Sequence, residues 1–357
     1  MAAGREAGER VRPLRILHLA PLYQPIRDNM EYDSIERLVL LLDKGFSAAG
    51  HDVATIALEG SEVAGGLVPV SGASGYAEQV DLALEIAADS ALDVIQVHRR
   101  EFFDLGGAAV ARREWPQAGV VATLHGAPGT VRRYYGGYGP LASFVFVSKA
   151  QAAGVPELPG TVILNGVDTA SVPFRRVAAG PAYLSFLGRI SGEKGVAEAI
   201  GLARQAGLPL KIAGVVQDGD RQYFESAVVP HLRAGHAEFL GPMRDAAKYE
   251  LLGGSTALVL LPNYEDPCPV VALEALATGT PVLALARGGL PELVTDGVTG
   301  LIADDLPGLL DKLPGLGGIS RGQCRAAAVA RFGADRLAGD YAALYRGMSQ
   351  PSSASDR

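Results

Sequence analysis

The chain has 357 residues, a formal net charge of −7, 48 % hydrophobic residues and two cysteines. That length exceeds one ordinary α/β core and suits two domains of about 150–200 residues each. The acidic balance argues against a duplex-binding or anionic-lipid surface, and Cys268 and Cys324 give neither a disulfide framework nor zinc-ligand spacing.

The opening "MAAGREAGERVRPLR" lacks a hydrophobic signal-peptide core and reads as a flexible lead over 1–13. No apolar run approaches the roughly 18–20 residues of a membrane span. Two reduced thiols and no leader point to a cytoplasmic protein. "LRILHLAPLY" then has the pattern of a buried parallel strand bounded by Pro13 and Pro21. In "SIERLVLLLDKGFSAAG", Ile35, Leu38, Val39 and Leu42 recur at helical spacing, Ser34 is a candidate N-cap and Gly50 is the stop. "DVATIAL" is a second strand, and the β-α-β order implies a right-handed parallel crossover.

The alternation continues through the helix "YAEQVDLALEIAADS", the strand "DVIQVH", the helix "FDLGGAAVARREW" and the strands "GVVATLH", "SFVFVS" and "TVILNG". A second cycle begins with the strand "AYLSFLGR". It runs through the helix "GVAEAIGLARQAG", the strand "LPLKIAGV", the helix "YFESAVVPHLRAG", the short strand "AEFLG", the helix "RDAAKYELLGGS" and the strand "TALVLLP". "PVLAL" is another strand, and "GLPELVTDGVTGLIA" closes the unit. The expected organisation is an α/β protein with two Rossmann-like doubly wound domains, 14–170 and 171–330. A covering helix follows over 331–348 as part of a helical stretch from about Arg321, and a disordered tail over 349–357. Strand C-termini line the switch points of such sheets, so the cleft between the domains is the expected ligand site.

"NYEDPCPVVALEALATGTPVLAL" places two acids beside that cleft. The strand "TALVLLP" delivers Asp266 to it in a Pro-rich loop, and Glu274 lies about one turn inside the next helix. A helix N-terminus suits a phosphate, whereas carboxylates suit the paired hydroxyls of a sugar or ribose. A nucleoside-diphosphate sugar presents both. Taken alone, either acid also reads as a first-turn residue favoured by the helix dipole. Pro267 and Pro269 have no amide proton, which leaves Cys268 and Val270 as the loop's donors.

"FLGRISGEKGVAEAI" sets Arg189 and Lys194 around a glycine-rich strand-to-helix turn that begins at Gly188. Two cations at a helix start make a diphosphate clamp, and on composition alone they also read as solvated surface charges. The spacing is not that of a Walker A loop. "QDGD" carries Asp218 and Asp220 in a metal-like spacing, but it reads as an ordinary polar turn. No metal and no cofactor are expected.

The pattern Asp266, Glu274-Ala275-Leu276-Ala277, Gly279, Pro281-Val282 resembles the signature of the retaining family-4 glycosyltransferases of the GT-B type. Asn165-Gly166-Val167-Asp168 fits that family's entry to its interdomain linker, and Arg189 and Lys194 match its "GR…KG" turn. The resemblance implies that Asp266 holds hydroxyls of the transferred sugar, with Glu265 as a substitute because Asp266 is one methylene shorter than the usual Glu. It implies that Glu274 holds the donor ribose, Arg189 and Lys194 the diphosphate, and His125, at the end of "VVATLH", the donor sugar. The family's two glycines before the first helix are replaced by Asp33 and Ser34. Ser34 is placed on the donor side as a helix cap, and Asp33 on the acceptor side. His98 is read as acceptor-side or structural. "VRRYYGGYGP" is read as a mobile aromatic loop, with Arg132, Tyr134 and Tyr135 as an acceptor-side wall or as partly packed surface.

The implied reaction moves a sugar from a nucleotide-diphosphate donor, UDP by family frequency, to a hydroxyl acceptor with retention. That acceptor is a small molecule, glycan or lipid. The nucleotide-sugar is a substrate rather than a cofactor, and nucleic acid is not an expected partner. The alternatives are a non-catalytic sugar-nucleotide binder and a sugar-nucleotide epimerase.

Overall fold

A computed structural model describes residues 12–30, 34–72, 75–178 and 180–349. The expectations for the two ends fall almost wholly outside those residues. The N-terminal unit carries β1 (Arg15–Leu19), β2 (Asp52–Leu58), β3 (Gly66–Val70), β4 (Val94–Val97), β5 (Gly119–Leu124), β6 (Ser143–Phe146) and β7 (Gly160–Val162). All neighbours are parallel, in the order β3-β2-β1-β4-β5-β6-β7. The C-terminal unit carries β8 (Leu184–Leu187), β9 (Leu210–Ala213), β10 (Ala237–Gly241), β11 (Ala257–Leu260), β12 (Val282–Leu285) and β13 (Gly300–Ala303). Its strands are also parallel, in the order β10-β9-β8-β11-β12-β13. Strands β11 and β12 are buried at every position, which is why they read as unbroken apolar runs rather than alternating ones; β4 and β8 are equally buried and satisfy Gln96 and Ser185 by hydrogen bonds. The strand order reverses between β1 and β4 and again between β8 and β11, so each sheet has one crevice at its strand C-termini.

The sequence gives no clear signal for β3. "GLVPV" contains Gly66 and Pro69, which depress strand propensity. It forms as an edge strand, where a proline costs no ladder bond on the open side. "YFESAVVPHLRAG" is not one regular helix. A π-turn over Phe224–Val228 precedes a short helix Val229–Arg233, because Pro230 cannot donate to the preceding turn. "FDLGGAAVARREW" likewise splits at Gly106, whose φ of 82° ends one helix and starts the next.

The final helical stretch is also divided, at Gly333. The helix Arg321–Phe332 packs on the C-terminal core through Cys324, Ala328 and Phe332. The helix Ala334–Ser349 returns to the N-terminal sheet and buries Leu337, Tyr341 and Tyr345 against Ile16, Val94 and Val121. Tyr341 and Tyr345 satisfy their hydroxyls there on Thr123 and Gln96. The two passages between units lie side by side: Val167 bridges to Gly333, and its amide donates to the Phe332 carbonyl at 2.8 Å. A pair of adjacent single-strand crossings is a geometry that permits rotation of one unit against the other.

Candidate functional site

The two crevices face each other across a cavity of about 330 Å³. That falls in the range of small-ligand sites, roughly 300–1,000 Å³. Its charged lining is Arg37, Arg189, Lys194 and Lys248 against Glu193, Asp266 and Glu274. Most of these residues follow the C-terminal end of a strand or lie in the first turns of the next helix, where parallel sheets present their polar groups.

Arg189 leaves the end of β8 and Lys194 precedes the helix Val196–Gln205. Gly195 makes the turn between them possible. Its φ is +73°, and a Cβ there would lie 1.8 Å from the Leu261 carbonyl oxygen. Arg189 donates to Glu193 at 2.5 Å and to Gln217 at 3.3 Å, and lies 3.6 Å from Asp220. Lys194 donates to Asp266 at 2.6 Å and to the Tyr264 hydroxyl at 2.5 Å. Tyr264 donates in turn to Asp266 at 2.6 Å, and Asp266 is only 6 % exposed. Burial, reinforced by Asp266, raises the Tyr264 phenol well above its ordinary range and keeps it a donor.

The helix Val270–Thr278 starts just after the Pro-rich loop, with Pro269 at its N-cap. Proline is tolerated there because first-turn amides have no helical partner. Cys268 is buried on the cavity wall, and burial pushes its thiol up to about 12. Its carbonyl accepts from Asn165 Nδ2 at 3.2 Å, which ties the loop to the interdomain passage. Glu274 is buried and its Oε1 accepts from Lys248 at 2.5 Å. Gly288 comes so close to Asp266 that a Cβ would lie 2.2 Å from the Asp266 carbonyl oxygen.

Apart from Arg37, the residues that the N-terminal unit gives the cavity are uncharged. His125 follows β5 and lines the cavity. Its Nε2 lies 3.3 Å from Nδ1 of His98, which follows β4, and the rings stack with centroids 5.6 Å apart. His18, in β1, adds a third ring 6.0 Å from that of His98. Burial lowers all three imidazoles, His18 and His125 to about 3. They are therefore neutral near pH 7, and His98 and His125 act as hydrogen-bonding groups toward each other.

Among the expected site residues, the cavity brings together His125, Arg189, Lys194, Asp266, Glu274, Cys268, Val270, Gly188 and Ser34. His98 stands behind His125 and is 2 % exposed. Glu265 turns away: its carboxylate accepts from the Gly288 amide at 2.5 Å. Asp33 lies outside the described residues. The first half of the aromatic stretch is a helix, Pro128–Tyr135, and only its glycine-rich second half turns, into a short 3-10 segment at Gly139–Leu141. Val131 and Tyr135, one turn apart, face the core, and Tyr135 packs on Phe103 and Phe144. Arg132 pairs with Glu157 at 2.6 Å on the surface, and Tyr134 stacks under Arg100. None of Arg132, Tyr134 and Tyr135 lines the cavity. Arg37, Lys248, Tyr264 and Asn165 do line it and were not expected. One signal was present: Lys248 shares a helix face with Leu251 and Leu252, an odd place for a lysine.

Residues 172–306 match the family model for glycosyl transferases group 1. A glycogen synthase of Mycobacterium tuberculosis is 39 % identical over 148 residues, which is 40 % of this chain and 35 % of that protein. The chain thus spans about a third of the length of the first curated relatives it matches. Among solved structures, AviGT4, a glycosyltransferase involved in avilamycin A biosynthesis, superposes with a TM-score of 0.70 at 22 % identity. That superposition covers 94 % of this chain and 98 % of AviGT4. HepE of Anabaena, solved in complex with UDP and glucose, gives a TM-score of 0.70 at 17 % identity and covers 93 % of this chain and 99 % of HepE. The fold is the GT-B arrangement of two Rossmann-like domains facing across a cleft. Among the described residues, no helix is long and apolar enough to cross a membrane.

Proposed function

We propose that this chain is a glycosyltransferase that binds a nucleotide-sugar in the cleft and transfers the sugar to a hydroxyl acceptor with retention at the anomeric carbon. One observation carries the reading: two cations and two carboxylates from separate C-terminal loops converge with a neutral histidine from the other domain on one cavity. The group 1 match over 172–306 supports the donor half of it.

In this reading the donor diphosphate lies at Arg189 and Lys194, which stabilise charge as the leaving group departs. It competes with Asp266 for Lys194, and the displaced carboxylate then accepts from sugar hydroxyls. Cys268 and Val270 supply amides at the helix start. Glu274 accepts from the ribose diol. His125 is neutral because burial holds its pKa near 3, so it orients a sugar hydroxyl rather than donating a full proton. With retention, the acceptor hydroxyl approaches on the face the phosphate leaves, and the diphosphate oxygen takes its proton. The two cations do the neutralising, so no metal is required. Rotation about the paired Val167 and Gly333 crossings would close the cleft and exclude water.

The test begins with thermal-shift screening of UDP-, GDP-, ADP- and dTDP-sugars, since a bound donor raises the melting temperature by mass action. The stabilising donor is then incubated with alcohol acceptors. The product is identified by mass spectrometry and its anomeric configuration by proton NMR. A glycoside of the donor's own configuration is expected. A product of inverted configuration would overturn retention. Donor epimerised without transfer, or bound without reaction, would overturn the transferase reading.

A further inference from the structure

Glu274 is held by a line of charges that crosses between the domains. Lys248 Nζ donates to its Oε1 at 2.5 Å, and both side chains are 6 % exposed. The same Nζ lies 2.8 Å from Asp245 Oδ1 and 4.6 Å from the Tyr249 ring centroid. The other Asp245 oxygen, Oδ2, accepts from Arg37 NH1 at 2.7 Å. Arg37 NH2 donates to the Met30 carbonyl at 2.6 Å. Arg37 and Met30 belong to the N-terminal unit, and Asp245, Lys248 and Glu274 to the C-terminal one.

A buried ion pair contributes little net stability, because desolvation of both charges offsets their attraction. What it does supply is direction. With Oε1 taken by Lys248, rotation of the Glu274 carboxylate is fixed. Its Oε2 makes no hydrogen bond among the described residues, and Glu274 lines the cavity. The signs alternate along the line, so each member is held by the next, and Arg37 anchors it to the opposite wall. Asp245 shows the effect: burial alone would raise its pKa, yet Lys248 and Arg37 hold it below the usual carboxylate range.

We infer that Lys248, itself oriented by Asp245 and Arg37, is a positioning residue that aims the Glu274 carboxylate at the donor ribose diol and ties that contact to the N-terminal domain. The inference rests on the donor reading of the cleft given above.

Calorimetric titration of the whole chain with UDP, GDP and ADP, each beside its 2′-deoxy form, tests it. For the base that binds most tightly, the wild type prefers the ribose form by about tenfold, the equivalent of one hydrogen bond to a charged group. Lys248→Met reduces that preference to less than about twofold with little loss on the deoxy form. Lys248→Arg keeps most of it, and Arg37→Gln falls between. A folded Lys248→Met protein that retains the preference overturns the inference. So does one that weakens both forms equally, as a purely structural lysine would. If Lys248→Met does not fold, Lys248→Gln is read the same way. An unchanged preference in Arg37→Gln overturns the interdomain link. Glu274→Gln separates the two claims. If that variant keeps the preference, the ribose reading of Glu274 itself fails. If it loses the preference while Lys248→Met keeps it, only the positioning role fails.

Discussion

The two walls of the cleft present polar groups to a ligand in opposite ways. The C-terminal wall is built from charges already paired with one another, Lys194 with Asp266 and Lys248 with Glu274. Apart from Arg37, the N-terminal wall presents His125, one of a stacked pair of imidazoles that burial keeps neutral. In the proposed reading the Lys194–Asp266 pair is exchangeable, because a diphosphate competes for the lysine, whereas the Lys248–Glu274 pair stays fixed and a ribose diol displaces only solvent. The imidazoles are a fixed set, useful for holding a neutral hydroxyl. The difference suggests a division of labour, with electrostatic work on one domain and sugar orientation on the other.

The contrast is broken most directly at the cations. Arg189→Ala and Lys194→Ala should each lower kcat by about 100-fold or more, the scale of losing a preorganised charge-stabilising donor. They should differ in melting temperature. Arg189 makes its short ion pair with the exposed Glu193 and lies 3.6 Å from Asp220, so its loss barely moves the melting curve, whereas Lys194 leaves Asp266 buried without its cation and the curve falls by several degrees. Steady-state kinetics beside differential scanning calorimetry checks both. Wild-type turnover in both variants would refute the clamp.

On the other wall, His125→Ala should lower kcat by about 10-fold to 100-fold with a smaller change in nucleotide affinity, since it touches only the sugar in this account. Calorimetry with the free nucleoside diphosphate checks the second half: an equal loss there would place His125 on the nucleotide instead.

A pH series sharpens the contrast further. His18 and His125 have folded pKa values near 3 because burial opposes their charge, against about 6.5 in the unfolded chain. Below 6.5 the unfolded state binds more protons, so stability is complete above that pH and falls as pH drops towards 3. Urea midpoints should therefore decline steadily from pH 7 to pH 4. A flat profile would contradict neutral burial.

The smallest effect is the most specific. Both ring nitrogens of His18 are buried and find no hydrogen-bond partner among the described residues. His18→Leu should then be neutral or stabilising by about 1 kcal/mol at pH 7, and should flatten the acid slope. Urea denaturation at pH 7 and pH 5 measures both, and a clear loss of stability at pH 7 would mean that His18 makes an interaction its surroundings do not reveal.

The same contrast explains what could be read from the sequence. The fold was legible because strands such as "TALVLLP" and "PVLAL" are apolar runs set between helical patterns, and "DVATIAL" and "AEFLG" form strands with the limits their sequence indicates. The edge strand β3 was not, since Pro69 and Gly66 hide it. On the charged wall, Arg189 and Lys194 share one turn, and Asp266 and Glu274 share one loop and helix, so local spacing carries their geometry. On the neutral wall, His18, His98 and His125 come from three strands, and only the strand order brings them together. Lys248 was missed for a different reason. Its partner Glu274 is 26 residues away, and the only local hint was a lysine on an apolar helix face. The aromatic stretch was misread because its glycines and arginines outweighed the one-turn spacing of Val131 and Tyr135, which is a core-facing helix signal.

A crystal structure of the chain bound to the nucleoside diphosphate that stabilises it best is the most direct test of the donor reading. The account predicts the diphosphate within hydrogen-bond distance of both Arg189 and Lys194, the ribose hydroxyls on Glu274, and Asp266 released from Lys194. A nucleotide bound outside this cleft, or reversed so that its diphosphate faces His125, would contradict it.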